Sequence, residues 1–252
     1  MMNIDLHTHG KLSKKTHFSL EYFLSMAREA KENGLHAVAL TEHFNTLNFT
    51  DLLDQLDYHF DYTNDYYLVE GLKVFSGMEV DVANKGHILL IGNRVIIREL
   101  RQQLDAHTAK DSFIPLDELL DRTEDYPLLR IGAHPMREST PLTHHAAATL
   151  QRLDTLDVNA KDLFQYGFGM ADNVQQFAEE LGLPVSAGSD SHQPLQFGSV
   201  INRFDKDCHT AEQLRTELLN GNYQLEISPC LNVKVKAAQM MKELLKKSMV
   251  VA

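Results

Sequence analysis

Apolar and polar positions along this chain switch repeatedly between the two-residue period of strands and the 3.6-residue period of helices. Ile4 and Leu6 alternate with Asp5 and His7, which predicts an opening strand over residues 3–9. Ser19 can cap a helix over residues 20–33, whose Tyr22, Phe23, Met26, Ala27 and Ala30 share one apolar stripe and which Gly34 stops. Residues 36–42 are mostly apolar, as a strand buried on both faces should be. The same pattern predicts helices around 52–62, 116–123, 146–153, 171–181, 211–219 and 233–247. It predicts strands over 73–82, 87–92, 128–134, 155–159, 184–188, 199–204 and 223–227, the first two joined by a tight turn at Asn84-Lys85-Gly86.

Strand–helix alternation of this kind implies a parallel sheet, and the number of repeats favours a closed α/β barrel. No Gly-rich dinucleotide or phosphate loop follows the first strand, which counts against an open doubly wound sheet. With 252 residues the chain fits one barrel, and no linker, repeat or low-complexity tract divides it. One domain over 1–252 is expected, with 205–252 as a closing C-terminal segment. Leu231, Val235, Ala238, Met241 and Leu245 form an amphipathic stripe there, whose first expected use is covering the barrel and whose second is homo-oligomerisation.

Composition narrows the function classes. At 43% hydrophobic and 23% charged residues the chain is globular, and its net charge of −11 disfavours stable nucleic-acid binding. The N-terminus has no basic region followed by an apolar one, and no apolar run approaches membrane-spanning length. Two cysteines, Cys208 and Cys230, fit inert thiols in a reducing compartment, so a cytoplasmic location without membrane contact is expected.

The chemistry-bearing residues share a place in the pattern. His7 and His9 end the first expected strand, Glu42 and His43 the second, and Glu79 the third. His87 opens the hairpin strand, His134 ends the middle strand, and Asp190 and His192 follow a late one. Barrel enzymes gather their chemistry at one end of the strands. Residues two apart on a strand face the same way, so His7 and His9 could meet one metal. Glu79 stands in an apolar strand, where a carboxylate is costly unless it is ion-paired or metal-bound. A carboxylate can also bridge two metals. His87 and His134, each taken alone, read as satisfied polar histidines. So do His36, His59, His107, His144, His145 and His209, which have no partner pattern.

In order, Asp5-Leu6-His7-Thr8-His9, Leu40-Thr41-Glu42-His43, Gly77-Met78-Glu79, Gly86-His87, Ala133-His134-Pro135 and Gly188-Ser189-Asp190-Ser191-His192 resemble the PHP (polymerase and histidinol phosphatase) family. The resemblance spans residues 3–204 and implies a distorted (β/α)7 TIM-like barrel with a trinuclear site. It implies a first metal on His7, His9, Glu79 and Asp190, and a second sharing Glu79 and adding His87 and His134. A third would take His43, His192 and a first-loop histidine, for which His17 is the candidate. Glu42 stands where many relatives have Asp, a place suited to orienting His43.

The resemblance further implies a metal-dependent phosphoesterase, a phosphatase or nucleotide phosphohydrolase, acting on a small phosphorylated substrate through a metal-bridging hydroxide. Two or three divalent ions are expected, and mixed His and carboxylate ligands suit zinc, manganese or iron. Glu79 would hold the bridge, and Asp190 would coordinate, with proton relay as a second role. Arg137 would hold a phosphate oxygen; Lys161 and Arg203 are further candidates. The basic run Lys11, Lys14 and Lys15 reads first as a solvated loop and second as an attractor of anions. Two alternatives stand: an amidohydrolase-type enzyme cleaving C–N bonds, and a non-catalytic metal-binding domain.

Overall fold

The computed structural model describes residues 1–250. The order of elements is β1 (Met2–Thr8), α1 (Leu20–Glu32), β2 (Ala37–Leu40), α2 (Phe49–His59), β3 (Tyr62–Thr63), β4 (Tyr66–Val69), β5 (Leu72–Asp81), β6 (His87–Ile91) and α3 (Arg94–Gln103). Then come α4 (Leu116–Thr123), β7 (Leu129–Ala133), α5 (Ala147–Leu150), β8 (Thr155–Asn159), α6 (Ala160–Tyr166), α7 (Gly169–Leu181) and β9 (Val185–Gly188). The chain ends with β10 (Val200–Phe204), α8 (Ala211–Leu219), β11 (Tyr223–Ile227) and α9 (Leu231–Val250). One sheet runs in the order β11-β10-β1-β2-β5-β6-β7-β8-β9, with the β3–β4 hairpin attached to β5. It forms the mixed, nearly closed barrel that the alternation implies.

The barrel departs from an all-parallel sheet at β4, β6, β10 and β11, and at β6 the departure shapes the mouth. β6 is antiparallel to both β5 and β7. Its first residue, His87, therefore lies opposite Asp81 at the end of β5 and beside Ala133 at the end of β7. A strand running the wrong way thus delivers its N-terminal residue to the same mouth as its neighbours' C-terminal ones.

The seam that completes the wall joins β1 to the segment after β9. Asp190 N donates to His7 O at 2.7 Å and His9 N to Ser191 O at 2.9 Å. Beneath them the buried Asp5 Oδ1 accepts from His7 N and Ser189 N. Asn202 on β10 ties β9 to β1: its amide pairs with both Ala187 N and Ala187 O and also reaches Ile4 O. Gly188 allows this approach, since a Cβ there would come within 2.2 Å of His7 Cβ and 2.7 Å of Asp157 Oδ1.

Two apolar layers carry the wall. Phe75 and Glu79 share one face of β5, and Leu89, Ile91 and His87 share one face of β6. Phe75, Leu89 and Ile91 pack with Ile4, Leu6, Ile131 and the α8 residues Leu214 and Leu218. The larger layer lies beneath the surrounding helices and takes in Leu231 and Val235 of α9. Ala238 is buried too, whereas Met241 is 39% exposed, so the apolar stripe expected along this helix breaks there.

Several expectations change. Residues 94–103 and 160–166 form helices that the apolar pattern does not reveal, and 146–153 contracts to the single turn α5. α3 escapes notice because its buried side rests mainly on Ile97 and Leu100 amid charged residues. α6 is short and starts directly from β8, with Asn159 as its cap. The expected helix over 52–62 begins earlier, at Phe49, and gives way to the β3–β4 hairpin. Cys208 is buried and Cys230 exposed, both as free thiols. No helix among the described residues is long and apolar enough to cross a membrane.

The seam leads to a prediction. Gly188→Ala should destabilise the fold by about 2 kcal/mol or more, because the His7 and Asp157 side chains lie against the added methyl and overpacking of this kind costs roughly 1–3 kcal/mol. A denaturant midpoint equal to that of the unaltered protein would show that β1 and β9 do not approach as described.

Candidate metal centre

Six of the strands, β1, β2, β5, β6, β7 and β9, contribute to one largely buried cluster. His7 and His9 come from the end of β1, His43 from beyond β2, Glu79 from β5 and His87 from β6. His134 follows β7, and Asp190 and His192 follow β9. His134 and Asp190 adopt φ of +33° and +55°. Non-glycine residues rarely hold such values, and the cost is of a kind that sites retain in order to aim a side chain.

Glu79 is the centre of the arrangement. Its Oε1 lies 2.6 Å from His87 Nδ1, 3.2 Å from His134 Nε2 and 3.7 Å from His7 Nε2. Its Oε2 lies 2.7 Å from His43 Nδ1 and 3.5 Å from His9 Nε2, neither in hydrogen-bonding orientation. Asp190 Oδ1 stands 3.2 Å from His9 Nε2, 3.8 Å from His192 Nε2 and 4.0 Å from His7 Nε2. The rings of His9 and His192 stack, with centroids 4.1 Å apart.

The far sides of three rings are anchored. His7 Nδ1 faces Asp157 Oδ2 at 3.0 Å, His192 Nδ1 donates to Lys11 O at 2.8 Å, and His134 Nδ1 lies 3.3 Å from Thr140 Oγ1. With Nδ1 so engaged, each Nε2 turns toward the carboxylates, the arrangement that fixes the ring of a metal-binding histidine. Asp190 is held from outside by Lys161 Nζ at 2.7 Å and Arg137 Nη1 at 3.1 Å.

The electrostatics follow from burial against this company. Burial disfavours the charge of Glu79, but His43, His87 and His7 keep its carboxyl well below the usual range. Burial likewise opposes the charge of Asp190, and Lys161 and His7 overcome it. His134 is pushed well down by burial and by Arg137, and His192 by burial and by His9; both are therefore neutral imidazoles with a lone pair to offer.

Four sets of three donors converge closely enough for one ion each. They are His7, His9 and Glu79; His7, His134 and Asp190; Glu79, His87 and His134; and His9, His43 and His192. His7 Nε2, both nitrogens of His9, His43 Nδ1 and Glu79 Oε2 are buried without a hydrogen-bond partner. Buried polar atoms left in that state are costly. Histidine nitrogens and carboxylate oxygens converging in this way, several of them without a hydrogen bond, fit divalent cations.

The structure places the expected residues unevenly. His17 is exposed and belongs to none of these sets; His9 stands with His43 and His192 instead. The reason lies in the first loop, where Gly10 N and Lys11 N donate to Glu42 Oε2 and Leu47 N donates to Lys14 O. That pinning turns His17 away, into the wall of a small cavity with Tyr22 and Leu245. Glu42 thus anchors the loop and lies 3.7 Å from His9 Nδ1, while touching His43 only through that residue's backbone.

Arg137 does not extend a free guanidinium. Its three nitrogens are taken by Asp162, Asp190 and Asn159. Arg203 pairs with Glu226 opposite Asn3, at the other end of β1. Of the loop lysines, Lys11 is buried with its ammonium on Leu47 O, and Lys14 bonds Asp81 on the rim. His107 and His145 bind backbone carbonyls, and His36 accepts from Asn3 N.

Sequence reasoning misses Asp157. The signal is present, because a carboxylate inside a wholly buried strand is as costly there as Glu79 is in β5. Asp157→Asn should weaken metal affinity by roughly 10–100-fold while leaving the fold intact, the usual effect of losing such an anchor. Unchanged metal affinity in a chelator competition would mean that Asp157 does not set the His7 ring.

Comparisons with known proteins come to the same place. A PHP-associated family model matches residues 172–223. No curated protein sequence matches the chain. The crystal structure of PsfC from Pseudomonas syringae superposes with a TM-score of 0.81 at 22% identity, covering 97% of this chain and 98% of that one. Endonuclease Q, in complex with a 27-mer duplex carrying an abasic lesion, gives 0.68 at 23% identity, covering 90% of this chain but only 58% of that one. A candidate metal-dependent phosphoesterase from Bifidobacterium adolescentis gives 0.50 at 15% identity, covering 86% and 95%. Ordered motifs, family match and shared architecture agree: the chain resembles the PHP family and shares a barrel-like fold with these structures.

Proposed function

We propose that the chain is a metal-dependent hydrolase of phosphate esters, with His7, His9, His43, Glu79, His87, His134, Asp190 and His192 as the ligands of a multinuclear site. The observation that carries this reading is Glu79. Each of its two oxygens is faced by a different group of imidazoles, as a carboxylate bridging two ions requires. When bound, paired dications acidify a water and neutralise the phosphoryl oxygens.

The chain's own residues do the positioning. Asp157 aims His7, Lys11 O aims His192, and Arg137 with Lys161 holds Asp190 toward the cluster. Arg137 acts here through Asp190, and its guanidinium is not the one expected to grip phosphate. The leaving group's proton donor is not assigned.

An amidohydrolase-type site would place a lysine in mid-barrel as the bridge. Glu79 holds that position, and the ammonium of Lys161 is spent on Asp190, which favours the phosphoesterase reading. A non-catalytic metal-binding domain has no need of eight converging donors. The net charge of −11 supports a small phosphorylated substrate over a nucleic acid.

Assay of metal-replete protein against nucleotides, sugar phosphates, histidinol phosphate and an abasic DNA duplex tests this directly. Hydrolysis of at least one monoester is expected. Glu79→Gln should lose metal and lower turnover by about two orders of magnitude or more, because an amide cannot supply two anionic oxygens. Near-normal metal content and activity in that variant would remove the bridging role.

A further inference from the structure

His7, His134 and His192 turn Nδ1 outward to an anchoring oxygen and Nε2 toward the cluster. His87 is set the other way round. Its Nδ1 lies 2.6 Å from Glu79 Oε1, and its Nε2 lies 2.7 Å from Asp81 Oδ1. Asp81 belongs to none of the four donor sets.

Strand pairing accounts for the reversal. Glu79 and Asp81 are two apart on β5 and share one face. In the antiparallel pair of β5 and β6, His87 lies directly opposite Asp81, where cross-strand Cβ atoms stand about 4.5–5.5 Å apart. The imidazole therefore lies along a row of two carboxylates and shows one nitrogen to each. Turning the ring over would put a carbon against both, so Glu79 and Asp81 together specify one orientation.

His87 depends on that specification more than its neighbours do. Its side chain is 14% exposed, against 0% for His7 and His134, so packing alone does not hold the ring. Asp81 is buried and is itself fixed, because its Oδ2 accepts from Lys14 Nζ and Asn45 Nδ2, each at 2.8 Å. Lys14 comes from the first loop and Asn45 from the segment after β2. Three stretches of chain thus meet on the carboxylate that faces His87.

We propose that Asp81 is a positioning residue of the metal centre. It holds His87 so that Nδ1 is the nitrogen offered to an ion shared with Glu79 and His134, and Lys14 and Asn45 keep Asp81 turned to that task. This rests on the multinuclear-site reading, which names His87 as a ligand but neither its ligating nitrogen nor what orients it.

The test uses the full zinc-replete chain with 15N-labelled histidine. Zinc affinity is read by chelator competition, and the His87 ring by NMR, its signals assigned through their loss in His87→Gln. The unaltered protein should show zinc on Nδ1 of His87 and a proton on Nε2. Asp81→Ala should weaken one zinc ion by roughly 10–100-fold, the usual effect of losing such a partner, and abolish that ring signature. Asp81→Asn keeps an acceptor oxygen, so it should restore the signature with intermediate affinity, and it replaces the Ala variant if that one does not fold. Lys14→Met should fall between the unaltered protein and Asp81→Ala. A general loss of stability would not change which nitrogen carries the metal. Unchanged zinc affinity and ring signature in folded Asp81→Ala would overturn the positioning role, as would zinc on Nε2 of His87 in the unaltered protein. An unaltered protein that takes up no zinc at His87 would remove the multinuclear reading and this role with it. Failure to hydrolyse any ester would count against the phosphoesterase reading alone, since neither readout involves a substrate.

Discussion

The contact between β1 and the segment after β9 is the constraint on which the site depends. Through it, His7 and His9 meet Asp190 and His192, residues more than 180 positions later in the chain. The approach is closer than side chains ordinarily permit, and the sequence meets that demand with Gly188 at the crossing and Asp5 receiving backbone amides from both sides. Asn202 completes the tie with a side-chain amide that behaves like a third strand's backbone. A loss of register here would separate the donors of Glu79 from those of Asp190.

The second constraint is charge. Nine-tenths or more of each donor is hidden from water, apart from the partly open His43 and His87, yet two carboxylates remain ionised among them. Arg137 and Lys161 offset Asp190, while Glu79 relies on the imidazoles around it. An account of the site without metals leaves five buried polar atoms of His7, His9, His43 and Glu79 without hydrogen bonds. On the proposed reading, metal binding contributes to the stability of the barrel mouth as well as to its chemistry.

Much of this is legible in the sequence. Local period identifies the helices at 116–123 and 211–219 and the strands at 155–159 and 223–227 with their observed ends, because each carries an apolar face of ordinary width. It misses α3, whose exposed side is dense with charge, and α6, which is too short to display a period. Candidate site residues are readable wherever a polar group interrupts an apolar strand end, as at His7, Glu79 and His134. The position of His17 depends on hydrogen bonds between the first loop and Glu42, and no local pattern records those. The engagement of Arg137 depends on Asp162, at a strand–helix junction whose helix the pattern does not display.

The central claim is that Glu79 bridges ions held by histidines from strands all around the barrel. Anomalous diffraction from crystals of metal-replete protein, recorded at the metal's absorption edge, tests it most directly. Peaks are expected on both sides of the Glu79 carboxylate, each about 2.0–2.2 Å from its imidazole and carboxylate ligands. Metal found in the protein by elemental analysis, but with no peak in contact with Glu79, would contradict it.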